Sequence, residues 1–117
     1  MRYMFIVTSA QPAAPTPALL EAMRKLTVRE IEAGRMVDNA GLMPLGMGAR
    51  VSLSDGRLHV VDGPFDEAKE VIGGYAILEL RNKDQAVASA VEFMTLHKDL
   101  MPGWEGTCEV RALASGP

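Results

Sequence analysis

The residues best suited to chemistry are gathered in one stretch of this 117-residue chain, Asp62-Gly63-Pro64-Phe65-Asp66-Glu67-Ala68-Lys69-Glu70-Val71-Ile72-Gly73-Gly74-Tyr75. Two carboxylates (Asp62, Glu67), an ammonium (Lys69) and a phenol (Tyr75) fall close together between two strand-like runs. A carboxylate can take a proton or orient another group that does, and an ammonium can hold an anion. That set points to acid/base chemistry on a small anionic or carbonyl-bearing metabolite, with Asp62 as base or orienter and Lys69 as anchor. The plain structural reading competes with it. Asp62 can accept local backbone N–H bonds while Gly63 and Pro64 shape a stereotyped turn. Asp66 can cap a one-turn helix that Gly73 ends. Gly63, Pro64, Gly73 and Gly74 are structural under both readings.

His97 is the second candidate. It falls at the edge of an apolar helix face, where a packed histidine is common, yet histidine also moves protons near neutral pH. Trp104 follows in a loop and can wall a pocket with Phe65 and Tyr75. His59 sits at an outward position of a strand. Two histidines and one cysteine form no recognisable metal-ligand spacing, so no metal is expected. Gly41, Gly46 and Gly48 make no phosphate-cradling signature, no organic cofactor is implied, and no serine or cysteine nucleophile has a local signature. Cys108 reads as a small buried strand residue.

Composition bounds the rest. One domain is expected over 1–117, long enough to bury roughly two-thirds of its unfolded surface. Apolar residues make up 48% of the chain and the net charge is −3, with Lys and Arg scattered. A nucleic-acid partner needs a basic footprint, which is missing. Arg2 and the run Tyr3-Met4-Phe5-Ile6-Val7 are too short for a secretory leader or a membrane span. A lone cysteine permits no internal disulfide, and the expectation is a cytoplasmic protein away from membranes.

The elements that must position these groups follow from periodicity. Residues 2–8 are apolar on both alternating faces, as in a strand covered on two sides. Thr16-Pro17 starts a helix in which Leu19, Leu20, Met23, Leu26, Thr27 and Ile31 recur at helical spacing, Glu21–Lys25 pair on the wet face, and Gly34 follows the end. Residues 35–44 read as an irregular second strand. Residues 50–53 and 57–61 form the arms of a hairpin turning at Asp55-Gly56, its insertion spanning about 50–62, with Val51, Leu53, Leu58 and Val60 towards the core. Residues 74–80 make a strand. Asn82 and Gln85 cap a helix over 83–98 whose Ala86, Val87, Ala90, Val91 and Met94 share one face. Residues 107–113 make the last strand before a flexible tail at about 114–117.

Without the hairpin this order is β-α-β-β-α-β, the ferredoxin-like plan of an α+β fold with both helices on one face of the sheet. The doubly apolar first strand leaves the other face to be covered. A second copy of the sheet is the expected cover, giving a homodimer.

At Val61-Asp62-Gly63-Pro64-Phe65, with Glu67, Lys69 and Gly73-Gly74-Tyr75 after it, the chain resembles the DGPF branch of the YCII-related domain family. The likeness continues through Pro102-Gly103-Trp104-Glu105-Gly106 and Cys108-Glu109-Val110-Arg111 and spans essentially the whole chain. The resemblance implies a ferredoxin-like fold assembled as a dimeric α/β barrel, in a superfamily that includes muconolactone-isomerase-like and dehydrochlorinase-like proteins. It also implies a His/Asp pair in a cleft, but the first helix here has no histidine, so no role carries over onto a residue there. Asp62 and, by position alone, His97 are the remaining partners. Genes of that branch neighbour alternative sigma-factor genes, which adds a regulatory reading. Three functions are thus expected in competition: an acid/base isomerase or lyase, a non-catalytic module that binds a small molecule or protein, and a structural dimer whose motif closes the barrel.

Overall fold

The computed structural model describes residues 1–10, 13–63 and 71–114. Their element order is β1 (Arg2–Ser9), α1 (Pro17–Glu32), β2 (Met36–Gly41), a 3₁₀ turn (Leu45–Met47), β3 (Ala49–Ser54), β4 (Arg57–Asp62), β5 (Val71–Glu79), α2 (Lys83–Leu100) and β6 (Gly106–Ala112). The main sheet runs β2-β5-β1-β6 with every neighbour antiparallel, while β3 and β4 form a separate two-stranded ribbon. With the ribbon set aside, this is the ferredoxin-like α+β plan.

Both helices start where side-chain oxygens meet free backbone donors. Thr16 Oγ1 accepts from Leu19 N at 3.2 Å and Pro17 fills the first helical position, where its missing N–H costs nothing. The same hydroxyl donates to the Leu100 carbonyl at 2.7 Å, joining the start of α1 to the end of α2. Asn82 Oδ1 accepts from Gln85 N, and Gln85 reaches back to Arg81 N, one residue earlier than a standard capping box.

The core lies between helices and sheet. Tyr3 and Phe5 of β1, Leu78 of β5 and Leu80 pack against Ala86 and Ala90 of α2, and Leu19 of α1 is fully buried. The small alanines let α2 sit close on the sheet. Charge is also built in: Glu30 is 5% exposed and accepts from Arg35, by Nε at 2.8 Å and by Nη2. Arg29 grips Glu92 with two bonds of 2.7 and 2.6 Å, tying α1 to α2.

Several sequence expectations are corrected. Val51, Leu53, Leu58 and Val60 do not face the core; each is 63–71% exposed, because the ribbon packs substantially on no other described element. Val87 and Val91 are likewise exposed, as the buried stripe of α2 runs through Ala86, Ala90 and His97. Leu20 and Ile31 lie outside the buried stripe of α1. Glu21 pairs with Arg24 rather than Lys25. β2 stops at Gly41, and Gly73 lies inside β5 rather than ending a helix. The radius of gyration, 16.1 Å, exceeds the roughly 13 Å of a compact chain this long, as a projecting ribbon requires. Among the described residues no helix is long and apolar enough to cross a membrane.

Candidate functional site

Alternation along β1 sends Tyr3 and Phe5 to the helices and Met4 and Ile6 to the opposite face, which no described element covers. Direct cross-strand partners share a face, so Ile77 and Tyr75 of β5, Asp38 and Ala40 of β2, and Glu109 and Arg111 of β6 lie there too. The irregularity between Met36 and Asp38 is what turns Asp38 outward beside Ile77. On this face the Tyr75 hydroxyl donates to Asp38 Oδ2 at 3.0 Å, a diagonal pair across β5 and β2. Asp38 Oδ1 accepts from Asn39 N at 2.9 Å, which fixes the carboxylate. The bond to Asp38, with its negative charge, raises the phenol above its ordinary value of 10.0, so Tyr75 stays a proton donor at neutral pH.

Tyr75 stands out in the sequence beside the Asp62 segment, whereas Asp38 does not. Its one signal was an aspartate inside a strand, where that residue is depleted unless it has a partner.

Asp62 ends β4 opposite Ala49 and is exposed. Gly63 beside it is held hard: its N–H donates to the Gly48 carbonyl at 2.8 Å, and a Cβ there would stand 1.7 Å from the Leu45 carbonyl oxygen. Only glycine allows the ribbon to root on the 3₁₀ turn this closely. Gly74 plays a milder part, since its Cβ would meet the Ala40 carbonyl at 3.0 Å where β2 and β5 pair. Pro64, Phe65, Glu67 and Lys69 lie outside the described residues, as does the short helix expected at Asp66.

His97 is 7% exposed, between the Phe93 ring (centroids 4.6 Å apart) and the Trp104 indole (4.4 Å). Its Nδ1 lies 3.0 Å from the Phe93 carbonyl, the donor's position in the tautomer that this contact favours. Trp104 is laid against Gly106, where a Cβ would come within 2.4 Å of the indole and 2.5 Å of the Thr8 carbonyl. Beyond the indole opens a cleft of about 570 Å³ lined by Met94, Lys98, Met101, Trp104, Glu105 and Thr107 among others. His97 and Trp104 thus meet, and Asp62 belongs to neither their contact nor that cleft. The cleft lies where the chain enters β6, one sheet edge, while the segment that holds Gly63 leaves β2, the other.

His59 is exposed on the ribbon opposite Ser52, as expected. Cys108 is half-buried beside the core, and burial pushes its thiol up from the ordinary 9.0. Among the described residues no three His, Cys, Asp or Glu side chains converge as a metal cage.

The profile of the YCII-related domain matches residues 1–97, from β1 into the last turns of α2. The chain belongs to the YCII-related domain family. An uncharacterised protein of Rhizobium meliloti (strain 1021) is 29% identical over 108 residues, covering 92% of this chain and 83% of that protein. The matched residues of this YCII-related chain include the Asp38–Tyr75 pair and Asp62, whereas Trp104 follows the match and its cleft draws on both sides of that boundary, with Met94 inside it.

Proposed function

We propose that this YCII-related protein performs acid/base chemistry on a small carbonyl-bearing or anionic metabolite, with Asp38 and Tyr75 as its working pair. The observation that carries the reading is their 3.0 Å hydrogen bond on an uncovered sheet face flanked by Met4, Ile6 and Ile77. A fixed carboxylate beside a neutral phenol can divide the work of enolisation. Asp38 takes the proton α to a carbonyl, Tyr75 donates to the oxygen on which charge develops, and the proton returns to the same or a neighbouring carbon. Apolar neighbours strengthen both interactions once substrate displaces water. In this reading Asp62 acts at the rim rather than at the reacting carbon, and His97 seats Trp104. The assembly is a homodimer with the open sheet faces turned towards each other, as in a dimeric α/β barrel. Within the family, residues 62–65 favour the DGPF branch.

The test is proton exchange. The protein is incubated in D₂O with a panel of small 2-keto and 3-keto acids, and ¹H NMR follows the α-protons. Exchange that disappears in Asp38→Asn and falls steeply in Tyr75→Phe is the expected result. Exchange that is unchanged in Asp38→Asn defeats the proposal.

The second reading, a binding module, draws on the cleft beside Trp104, whose methionine and indole walls carry one cation, Lys98. It expects thermal stabilisation by one of those acids in the wild type and in Asp38→Asn alike, with no α-proton exchange.

A further inference from the structure

Arg24, Arg29 and Arg35 each spend the guanidinium fork on a glutamate, respectively Glu21, Glu92 and Glu30. Arg2 and Arg111 do not, and both stand on the open sheet face that carries Asp38 and Tyr75. Arg2 falls on the Met4 side of the alternation in β1, opposite Glu79, and Arg111 lies opposite Met4. The two are therefore diagonal neighbours on adjacent strands, about 7–8 Å apart at the backbone and within reach of one another's long side chains. Among the described residues the Arg2 guanidinium has no partner. Arg111 gives only Nη1 to Glu109, at 3.4 Å, longer than the roughly 2.7–2.9 Å of a committed charge-assisted bond. The other acids of the face are engaged: Glu79 holds the N-terminal ammonium at 3.1 Å, and Asp38 holds Tyr75 and the Asn39 N–H.

We propose that Arg2 and Arg111 form a clamp for a carboxylate remote from the reacting carbon, which makes the substrate a keto diacid rather than a keto monoacid. One row of the face reads Asp38, Ile77, Met4 and Arg111 across β2, β5, β1 and β6. Strands lie about 4.8 Å apart, so Arg111 begins about 10 Å from Ile77, across Met4. The acid/base pair closes one end of this row and two unspent guanidinium groups close the other. Met4 and Ile77 make an apolar floor between them, suited to a short methylene chain. A guanidinium fork meets a carboxylate with two parallel bonds, which gives orientation as well as attraction. Lys69, the anion anchor expected from the sequence, lies outside the described residues, and the two arginines supply positive charge on the face itself. The reacting end of this assignment rests on the acid/base reading of Asp38 and Tyr75, whereas the clamp has a readout of its own.

The experiment uses two pairs of acids that differ by one carboxylate. 2-Ketoglutarate and 2-ketovalerate are compared in α-proton exchange in D₂O, and glutarate and valerate in thermal stabilisation, which needs no turnover. The wild type should favour the diacid in both. Arg2→Gln and Arg111→Gln should each raise KM for 2-ketoglutarate about tenfold or more at little cost to kcat, leave 2-ketovalerate unmoved and remove the stabilisation by glutarate. Arg111→Lys should recover only part of the loss, because an ammonium is not bidentate. Arg57→Gln, on the ribbon, should match the wild type. Asp38→Asn should lose exchange and keep its response to glutarate, so the two readings fail separately. A wild type that glutarate stabilises through the arginines, yet that exchanges no α-proton, defeats the acid/base reading and upholds the clamp. The clamp is overturned by a wild type with no preference for either diacid, or by arginine variants that keep the wild-type KM and stabilisation. Equal losses on diacid and monoacid, or a loss of the same size in Arg57→Gln, overturn it as well.

Discussion

Tyr75 and Asp38, 37 residues apart in the chain, are joined by a 3.0 Å hydrogen bond on the sheet face that the helices leave open. Strand order produces the meeting, because β5 is the one strand that lies between β2 and β1. A carboxylate on an edge strand is thereby brought beside a phenol in the sheet interior, among apolar neighbours.

The pair predicts a titration. Asp38→Asn removes the charge and the acceptor that raise the Tyr75 phenol, so its pKa should fall towards the ordinary 10.0. Ultraviolet difference titration of wild type and variant reads this directly, with Tyr3→Phe removing the only other tyrosine signal. Catalysis should fall about 10²–10⁴-fold in Asp38→Asn. Stability should move by no more than about 0.5 kcal/mol in either direction, as for exposed substitutions generally.

Gly63→Ala should be costly despite its single added carbon. The new methyl meets backbone, the Leu45 carbonyl, and backbone cannot turn aside as a side chain can. A loss of about 1–3 kcal/mol is expected in urea denaturation, the range for overpacked sites. An unchanged midpoint would mean that the ribbon root yields freely.

Gly106→Ala tests the seat of Trp104. The added methyl would overlap the indole and the Thr8 carbonyl, so the ring must leave its place against His97. Trp104 is the only tryptophan, so fluorescence reports on it alone. The expected result is a red-shifted emission with stronger quenching by acrylamide.

The Arg29–Glu92 fork sets an acid limit. The bond to Arg29 holds the Glu92 carboxyl below its ordinary 4.5 in the folded chain. A depressed carboxylate stabilises above its unfolded pKa, and that stability is lost as pH falls through the folded value. Glu92→Gln should therefore cost about 0.2–1 kcal/mol at pH 7, discounted for exposure and reduced by salt. The gap to wild type should close progressively below pH 4.5, as thermal melts across pH can show.

The fold was legible where local chemistry decides it. Thr16-Pro17 and Asn82 mark their helix starts, Asp55-Gly56 marks the turn, and the alternation in β1 announces an open second face. What could not be read is where surfaces meet. Val51 and Leu58 carry the pattern of a core-facing ribbon, and nothing in the pattern says that both stay exposed in the folded chain. Val87 and Val91 fall within a helical apolar arc, but the alanines give closer packing and take the buried side. Asp38 shows its role only through Tyr75, a pairing set by strand order and by the irregularity in β2. His97 reads as either a packed or a proton-moving histidine, and the sequence alone does not show that Phe93 and Trp104 lie against its ring.

The Thr16 hydroxyl accepts from the first turn of α1 and donates to the last carbonyl of α2. Fraying at either terminus therefore strips a partner from the other, and the helical layer has one seam where two independent ends are usual. Amide exchange near Leu19 and around Leu100 should then rise and fall together, and a serine at residue 16 should preserve that concert while an alanine breaks it.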